Sequence, residues 1–165
     1  NDIVDKDRLK HLSCPSKLSV QQKKCKIIYV YSNTFDAIGS HYRRGWPVTQ
    51  MRKINIRNTC QITKVNDYFK LTESSQTDHF GCKGHFLRWY KYDFPNGIYF
   101  LNLSEINKNE LSDFLKCDKS IFDNLPSMPT KRTKYNHLKS KYPLSNIMYT
   151  NIDNFIRNKI QAMKS

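Results

Sequence analysis

Residues 26–46, KIIYVYSNTFDAIGSHYRRGW, constrain the fold more than any other stretch of the chain. Ile27, Ile28, Tyr29 and Val30 form an unbroken run of β-formers without the polar alternation of a half-exposed strand. That is the pattern of a strand covered on both faces in a parallel sheet. The run stops at Ser32 and a helix follows: Asn33 or Thr34 is placed to cap it, Asp36 adds negative charge to its first turn, and Gly45 with Pro47 marks its end. A strand feeding straight into a helix brings the helix start to the carboxyl edge of the sheet, where unpaired amides and the positive end of the helix dipole attract anions. Ser40, Arg43 and Arg44 lie on that helix. They read either as a hydroxyl and two cations for a phosphate, or as a small packing residue and two solvated charges.

The rest of the chain extends the alternation. Residues 1–25 are mostly polar, with an extended or turn segment around Cys14-Pro15-Ser16. Residues 47–79 read as irregular, with a helical piece near 54–69 and the tract Glu73-Ser74-Ser75-Gln76-Thr77 as a mobile loop. Phe80, Phe86, Leu87, Trp89 and Tyr90 predict a helix with inward aromatics over 78–91. Phe94-Pro95-Asn96-Gly97 predicts a turn, and 98–103 a second strand. Ser104, Glu105 and Asn109 precede a capped helix ending near Lys116, and the stretch from Pro126 reads as a basic, polar tail punctuated by Pro129 and Pro143. Strand and helix alternating in this way predict an α/β fold of three layers, a parallel sheet with helices on both faces, in a single domain over residues 1–165.

Against 14 Asp and Glu stand 28 Lys and Arg, a formal net charge of +14. Such a field draws nucleic acid, sulfated glycan, nucleotide phosphate or acidic membrane, and it is also what a solvated basic face produces. Lys131, Arg132, Lys134, Lys139 and Lys141, interleaved with Tyr135 and Tyr142, are a candidate nucleic-acid or glycan strip, or a solvated tail. The five cysteines include no C-x-x-C pair, so neither a zinc ribbon nor a redox motif is expected, and no metal. The odd count favours reduced thiols and a cytoplasmic location, with a Cys60–Cys82 bridge in the Golgi lumen or outside the cell as the alternative. No apolar run reaches the ~20 residues that span a bilayer. His41, His79, His85 and His137 are scattered, and His79 and His85 read as packing or surface residues.

Several of these motifs, in this order, resemble one family. CKIIYVYSNTFDAIGSHYRRGW is similar to the strand-loop-helix that holds the 3′-phosphate in sulfotransferases using phosphoadenosine phosphosulfate (PAPS), with Asn33, Asp36 and Ser40 matching in identity and spacing. LKHLSCPSKL resembles the family's Lys-Thr-His-Leu-Pro segment, which makes His11 the counterpart of the catalytic base. HFGCKGHFLRWYKYDFPNGIYFLNLSEINKNELSDFLK resembles the helix ending in Trp, the strand, the Tyr-Glu-Asp-Leu-like turn with Glu105 at its Glu, and the helix closing in Phe-Leu. The resemblance runs from about residue 9 to 125. It implies a P-loop-like sheet with PAPS or its product PAP at the carboxyl edge, and in-line transfer of a sulfuryl group to a hydroxyl or amine of a small-molecule or glycan acceptor. His11 would be the base, with Ser40, Asn33, Ser32, Arg43 and Arg44 holding the cofactor.

Two departures bear on that expectation. Ser32 stands where the family has its phosphate-gripping arginine, and Thr34 where it has proline; a hydroxyl does not replace a bidentate guanidinium. The family's Lys-x-Gly-Thr-Thr-like phosphosulfate loop has no counterpart, since none of Gly39, Gly45, Gly81, Gly84 and Gly97 builds a phosphate-cradling turn. Three accounts stay open: a fragment that begins after that loop, a loop supplied by another chain, or a degenerate relative kept for binding. The rival from a different class is a non-catalytic basic module for an acidic polymer, RNA or a sulfated glycan.

Overall fold

The structure is a computed structural model that describes residues 12–45, 47–55, 60–123 and 135–164. Strand β1 (Ile27–Tyr31) pairs in parallel with β2 (Ile98–Asn102), with Ile27 opposite Ile98 and Tyr31 opposite Asn102. Gly97, at φ +80°, closes the predicted turn before β2, its amide donating to the Phe94 carbonyl at 2.9 Å. The positive φ is why glycine stands there.

Among the described residues these two strands are the whole sheet, which supports the expected α/β class and gives no support to the P-loop-like three-layer sheet. The architecture is mixed α/β and mostly helical, with a small two-stranded parallel sheet. β1 is also not covered on both faces: Ile28 is 38% exposed and Val30 51%. Its inward residues, Tyr29 with Phe100 of β2, pack against Phe86 and Trp89, at ring separations of 5.4 to 6.2 Å. On the other face Tyr99 meets Phe114, 5.5 Å between rings.

Eight helices are described: α1 (Val20–Lys23), α2 (Thr34–Arg43), α3 (Pro47–Ile54), α4 (Val65–Ser75), α5 (Cys82–Tyr90), α6 (Lys108–Leu115), α7 (Asn136–Lys141) and α8 (Pro143–Lys164). Two correct the sequence reading. Glu73, Ser74 and Ser75, expected in a mobile loop, form the last turn of α4, which stops at Gln76 in the left-handed conformation. Tyr68, Phe69 and Thr72 recur at helical spacing and are buried, so packing outweighs the polar tract that follows them. Glu73 also joins two helices, since its carboxylate accepts from the amides of Leu144 and Ser145 at 3.1 and 2.7 Å and so caps α8.

The second correction is α8 itself, a 22-residue helix where the sequence reads as a tail. Pro143 opens it, a position where a missing N–H costs nothing. Ser145, Tyr149, Ile152, Asp153, Ile156 and Ile160 form its buried stripe. Along this stripe α8 packs against α2, α4, α5 and α7. Phe35 of α2 stacks on Phe69 of α4 at 4.0 Å, with Tyr149 edge-on to both. The Tyr149 and Tyr68 hydroxyls bond at 2.6 Å, and the Phe80 amide donates to Tyr68 Oη at 3.0 Å. Full burial of such a ring contributes about 1.5–3 kcal/mol, and this aromatic cluster, which Phe100 of β2 joins, forms the main core.

All five cysteines, Cys60 and Cys82 among them, are unbridged. Among the described residues no helix is long and apolar enough to cross a membrane.

Candidate functional site

The start of α2 is where strand, loop and helix were expected to seat a phosphate. Asn33 is the N-cap, its Oδ1 accepting the Asp36 amide at 3.0 Å, as the sequence predicts. The amide-rich position itself is taken by Asp153 of α8. Its Oδ1 accepts from Thr34 N at 3.1 Å and from Thr34 Oγ1 at 2.5 Å, and its Oδ2 from Thr34 N at 3.2 Å and Asn33 Nδ2 at 3.0 Å. Asp153 is 6% exposed and Thr34 5%. A carboxylate meets a helix start for the same reason a phosphate does: the free N–H groups and the dipole favour negative charge.

Asp36 supplies a second carboxylate to the same turn. Its Oδ1 accepts the Tyr135 amide at 3.3 Å and its Oδ2 pairs with Lys139 at 2.9 Å, tying α2 to α7. The field at the α2 start is therefore set by two internal acids. Burial raises the Asp153 carboxyl above its ordinary range, against the opposing pull of the Thr34 hydrogen bonds and of Arg157 and Lys139. The same end of β1 carries Tyr31, whose phenol is raised by burial, lowered by Arg157, and raised again by Glu105 and Asp153.

The other predicted cofactor contacts do not converge here. Ser32 and Ser40 are partly buried, and among the described residues neither side chain makes a hydrogen bond. Phe35, Ile38, Gly39 and Tyr42 form the buried stripe of α2, so Ser40 lies on the flank away from the core. Gly39 faces the ring of Tyr135 so closely that a Cβ there would lie 2.6 Å from it. Arg43 and Arg44 are exposed and stand at the opposite end of α2, about 15 Å from the capped turn at 1.5 Å per residue. Cations at a helix C-terminus are stabilised by the dipole, which accounts for them without a ligand. His11, the expected catalytic base, lies outside the described residues, as do Lys131, Arg132 and Lys134 of the basic strip.

His85 is a bridging residue, as its packing role predicts: Nδ1 lies 2.8 Å from Tyr29 Oη and Nε2 2.7 Å from the Leu12 carbonyl. One open cleft of about 530 Å³ lies beside the start of α6, lined by Glu105, Ile106, Asn107, Lys108, Asn109 and Lys119. Glu105 is the only residue there that the sulfotransferase resemblance singles out, and the cleft is lined by none of the expected cofactor contacts.

The residue that sequence reasoning missed is Asp153. Its signal is an acid inside the apolar stripe Tyr149, Ile152, Ile156 and Ile160. A carboxylate on the buried face of a helix must find donors, and a neighbouring helix start is the commonest source of unpaired ones. The residues present do not fit a 3′-phosphate at the α2 start, because a carboxylate already uses those donors and would repel it. No family model, no curated protein and no solved structure matches the chain.

Proposed function

We propose that the chain is a basic binding module for an extended polyanion and uses no nucleotide to do so. The observation that carries this reading is the Asp153 carboxylate on the Thr34 amide and hydroxyl, which removes the best-formed anion seat from service and leaves the +14 charge as the feature that chooses a ligand. Such charge recognises repeated phosphates or sulfates through many weak contacts rather than one built pocket. Arg43 and Arg44 form no ion pair among the described residues and offer two such contacts.

The experiment is a salt titration with heparin and single-stranded RNA as probes. Polyanion binding falls linearly with log salt, with a slope of about −0.7 per neutralised phosphate on a single strand. The variant Arg43→Glu/Arg44→Glu should weaken RNA binding and flatten that slope by the equivalent of about two contacts. A thermal shift with PAP that survives moderate salt, together with no affinity for either polymer, would replace this reading with the nucleotide one.

A second reading, sulfuryl transfer from PAPS to a hydroxyl or amine, is favoured by one observation: β1 runs parallel to β2 and feeds α2, the order in which Asn33, Asp36 and Ser40 match the sulfotransferase pattern. On this reading Asp153 must leave α2 before the cofactor binds, so Asp153→Asn should strengthen PAP binding. Unchanged or absent PAP binding in that variant counts against it.

A further inference from the structure

We propose that the free edge of β1 takes up an extended, acidic segment of a partner protein as a third strand. The parallel ladder runs through alternate residues of β1. Ile27 donates its amide to the Gly97 carbonyl at 3.2 Å, and Tyr31 accepts at its carbonyl from Leu103 N at 2.9 Å. With this register, Ile27, Tyr29 and Tyr31 direct both peptide groups at β2, and Ile28 and Val30 direct theirs to the opposite side. Among the described residues no strand lies on that side. The edge thus presents two amides and two carbonyls at strand spacing, the template that an added strand completes.

The side chains agree with the backbone. Ile28 and Val30 are β-branched, adjacent on one face of the sheet, and both exposed. A two-stranded parallel ribbon is seldom left in this state, because parallel strands are stabilised by cover on both faces.

Charge decides the occupant. A second copy would bring +14 against +14, with paired strands about 4.8 Å apart, well inside the ~8 Å screening length of physiological salt. Lys24 is exposed just ahead of β1, whereas the ammonium of Lys26, next to its first residue, is held by the Phe114 carbonyl and ring. A segment with apolar residues at alternate positions and Asp or Glu between them satisfies the edge, the exposed side chains and the field together. Recognition of this kind takes affinity from main-chain bonds and selectivity from alternate side chains.

The test uses the full chain and two synthetic peptides of roughly eight residues, one alternating Val with Glu and one alternating Val with Lys. Fluorescence polarisation should show the Glu peptide binding at least about tenfold more tightly than the Lys peptide. In the free chain the amides of Ile28 and Val30 should exchange with solvent faster than that of Tyr29, and the Glu peptide should slow these two selectively. Val30→Glu, which sets like charge against the added strand, should abolish binding of the Glu peptide and leave the urea midpoint unchanged, whereas Val30→Thr, which keeps the β-branch, should retain it. Equal affinity for the two peptides, no binding of the Glu peptide, or protection that appears elsewhere would overturn the proposal. A dimer in sedimentation that Val30→Lys dissociates would also overturn it, by giving the edge to a second copy.

Discussion

Replacing Asp153 with Ala isolates the contact that joins α8 to α2. Thr34 N and Thr34 Oγ1 are both buried and both donate to this carboxylate. Each buried donor left without a partner costs about 1–3 kcal/mol. Loss of the anion at the helix start adds about 0.3–2 kcal/mol. Asn33 Nδ2 is only half buried and can turn to water. Against these losses stands the recovered cost of burying a charge, the effect that raises the Asp153 carboxyl. The net expectation is a loss of about 2–4 kcal/mol, which for a chain of this size lowers Tm by about 5–15 °C.

Urea unfolding followed by tryptophan fluorescence measures it. Asp153→Asn keeps an acceptor for Thr34 but sets an amide nitrogen against Asn33 Nδ2, so its loss should be smaller than that of Ala. A change under about 0.5 kcal/mol in the Ala variant would mean that the carboxylate is not what holds the α2 start, and the position would again be open to a phosphate.

Three further outcomes follow from the same geometry. The folded carboxyl of Asp153 is raised, so the stability it contributes is fully present below the ordinary carboxylate value of 3.8 and is lost as pH rises through the raised value. The gap in unfolding free energy between the native chain and Asp153→Ala should therefore widen as pH is lowered from neutrality; a gap that narrows would reverse the sign. Gly39→Ala would be a mild gain of about 0.5–1 kcal/mol in an open helix, but its Cβ would lie 2.6 Å from the Tyr135 ring, so urea melts should show a loss of about 1–3 kcal/mol. Tyr149→Phe should cost about 1 kcal/mol and Tyr68→Phe more, because only Tyr68 Oη also accepts the Phe80 amide; the reverse ranking would break the assigned network.

What was legible in the sequence was local. The run Ile27 to Val30 and the Asn33 cap specify a strand and a helix start by propensity and by one side-chain bond, both readable at short range. The turn at Gly97 is fixed by a backbone angle that few other residues adopt. Sheet width was not legible, because a continuous apolar strand is equally compatible with a wide sheet and with an edge whose partner strand is missing. The tail misled for a different reason. Pro143 and the density of Lys suggested interruption, but Tyr149, Ile152, Ile156 and Ile160 keep helical spacing just beyond it, and Pro143 opens that helix instead of ending it. At the candidate site the helix start was legible and its partner was not. Asn33 caps α2 and Asp36 sits in its first turn, yet the anion comes from 120 positions away along the chain, a distance at which no local pattern speaks.

Asp153 is one instance of a wider use of acids in this chain. Glu73 caps α8, and Asp78 accepts the amides of Gly81 and Lys83 at 2.9 and 3.0 Å at the start of α5. Asp118 accepts the Ser120 amide at 2.8 Å, and Asp36 is held by Tyr135 and Lys139. Of 14 acidic residues, these five spend their carboxylates on backbone donors or on a neighbouring helix. A carboxylate pointed at a helix start has its field absorbed by the dipole beneath it, whereas a lysine on a helix flank projects its field into solvent. Of the described acids Asp153 is buried and Asp36, Glu73 and Asp78 are half-buried, while Asp67, Asp93, Glu105, Asp113, Asp118 and Asp123 are exposed. The acid that matters for a ligand is the buried one, because a phosphate approaching the start of α2 meets the Asp153 carboxylate on the Thr34 amide and hydroxyl.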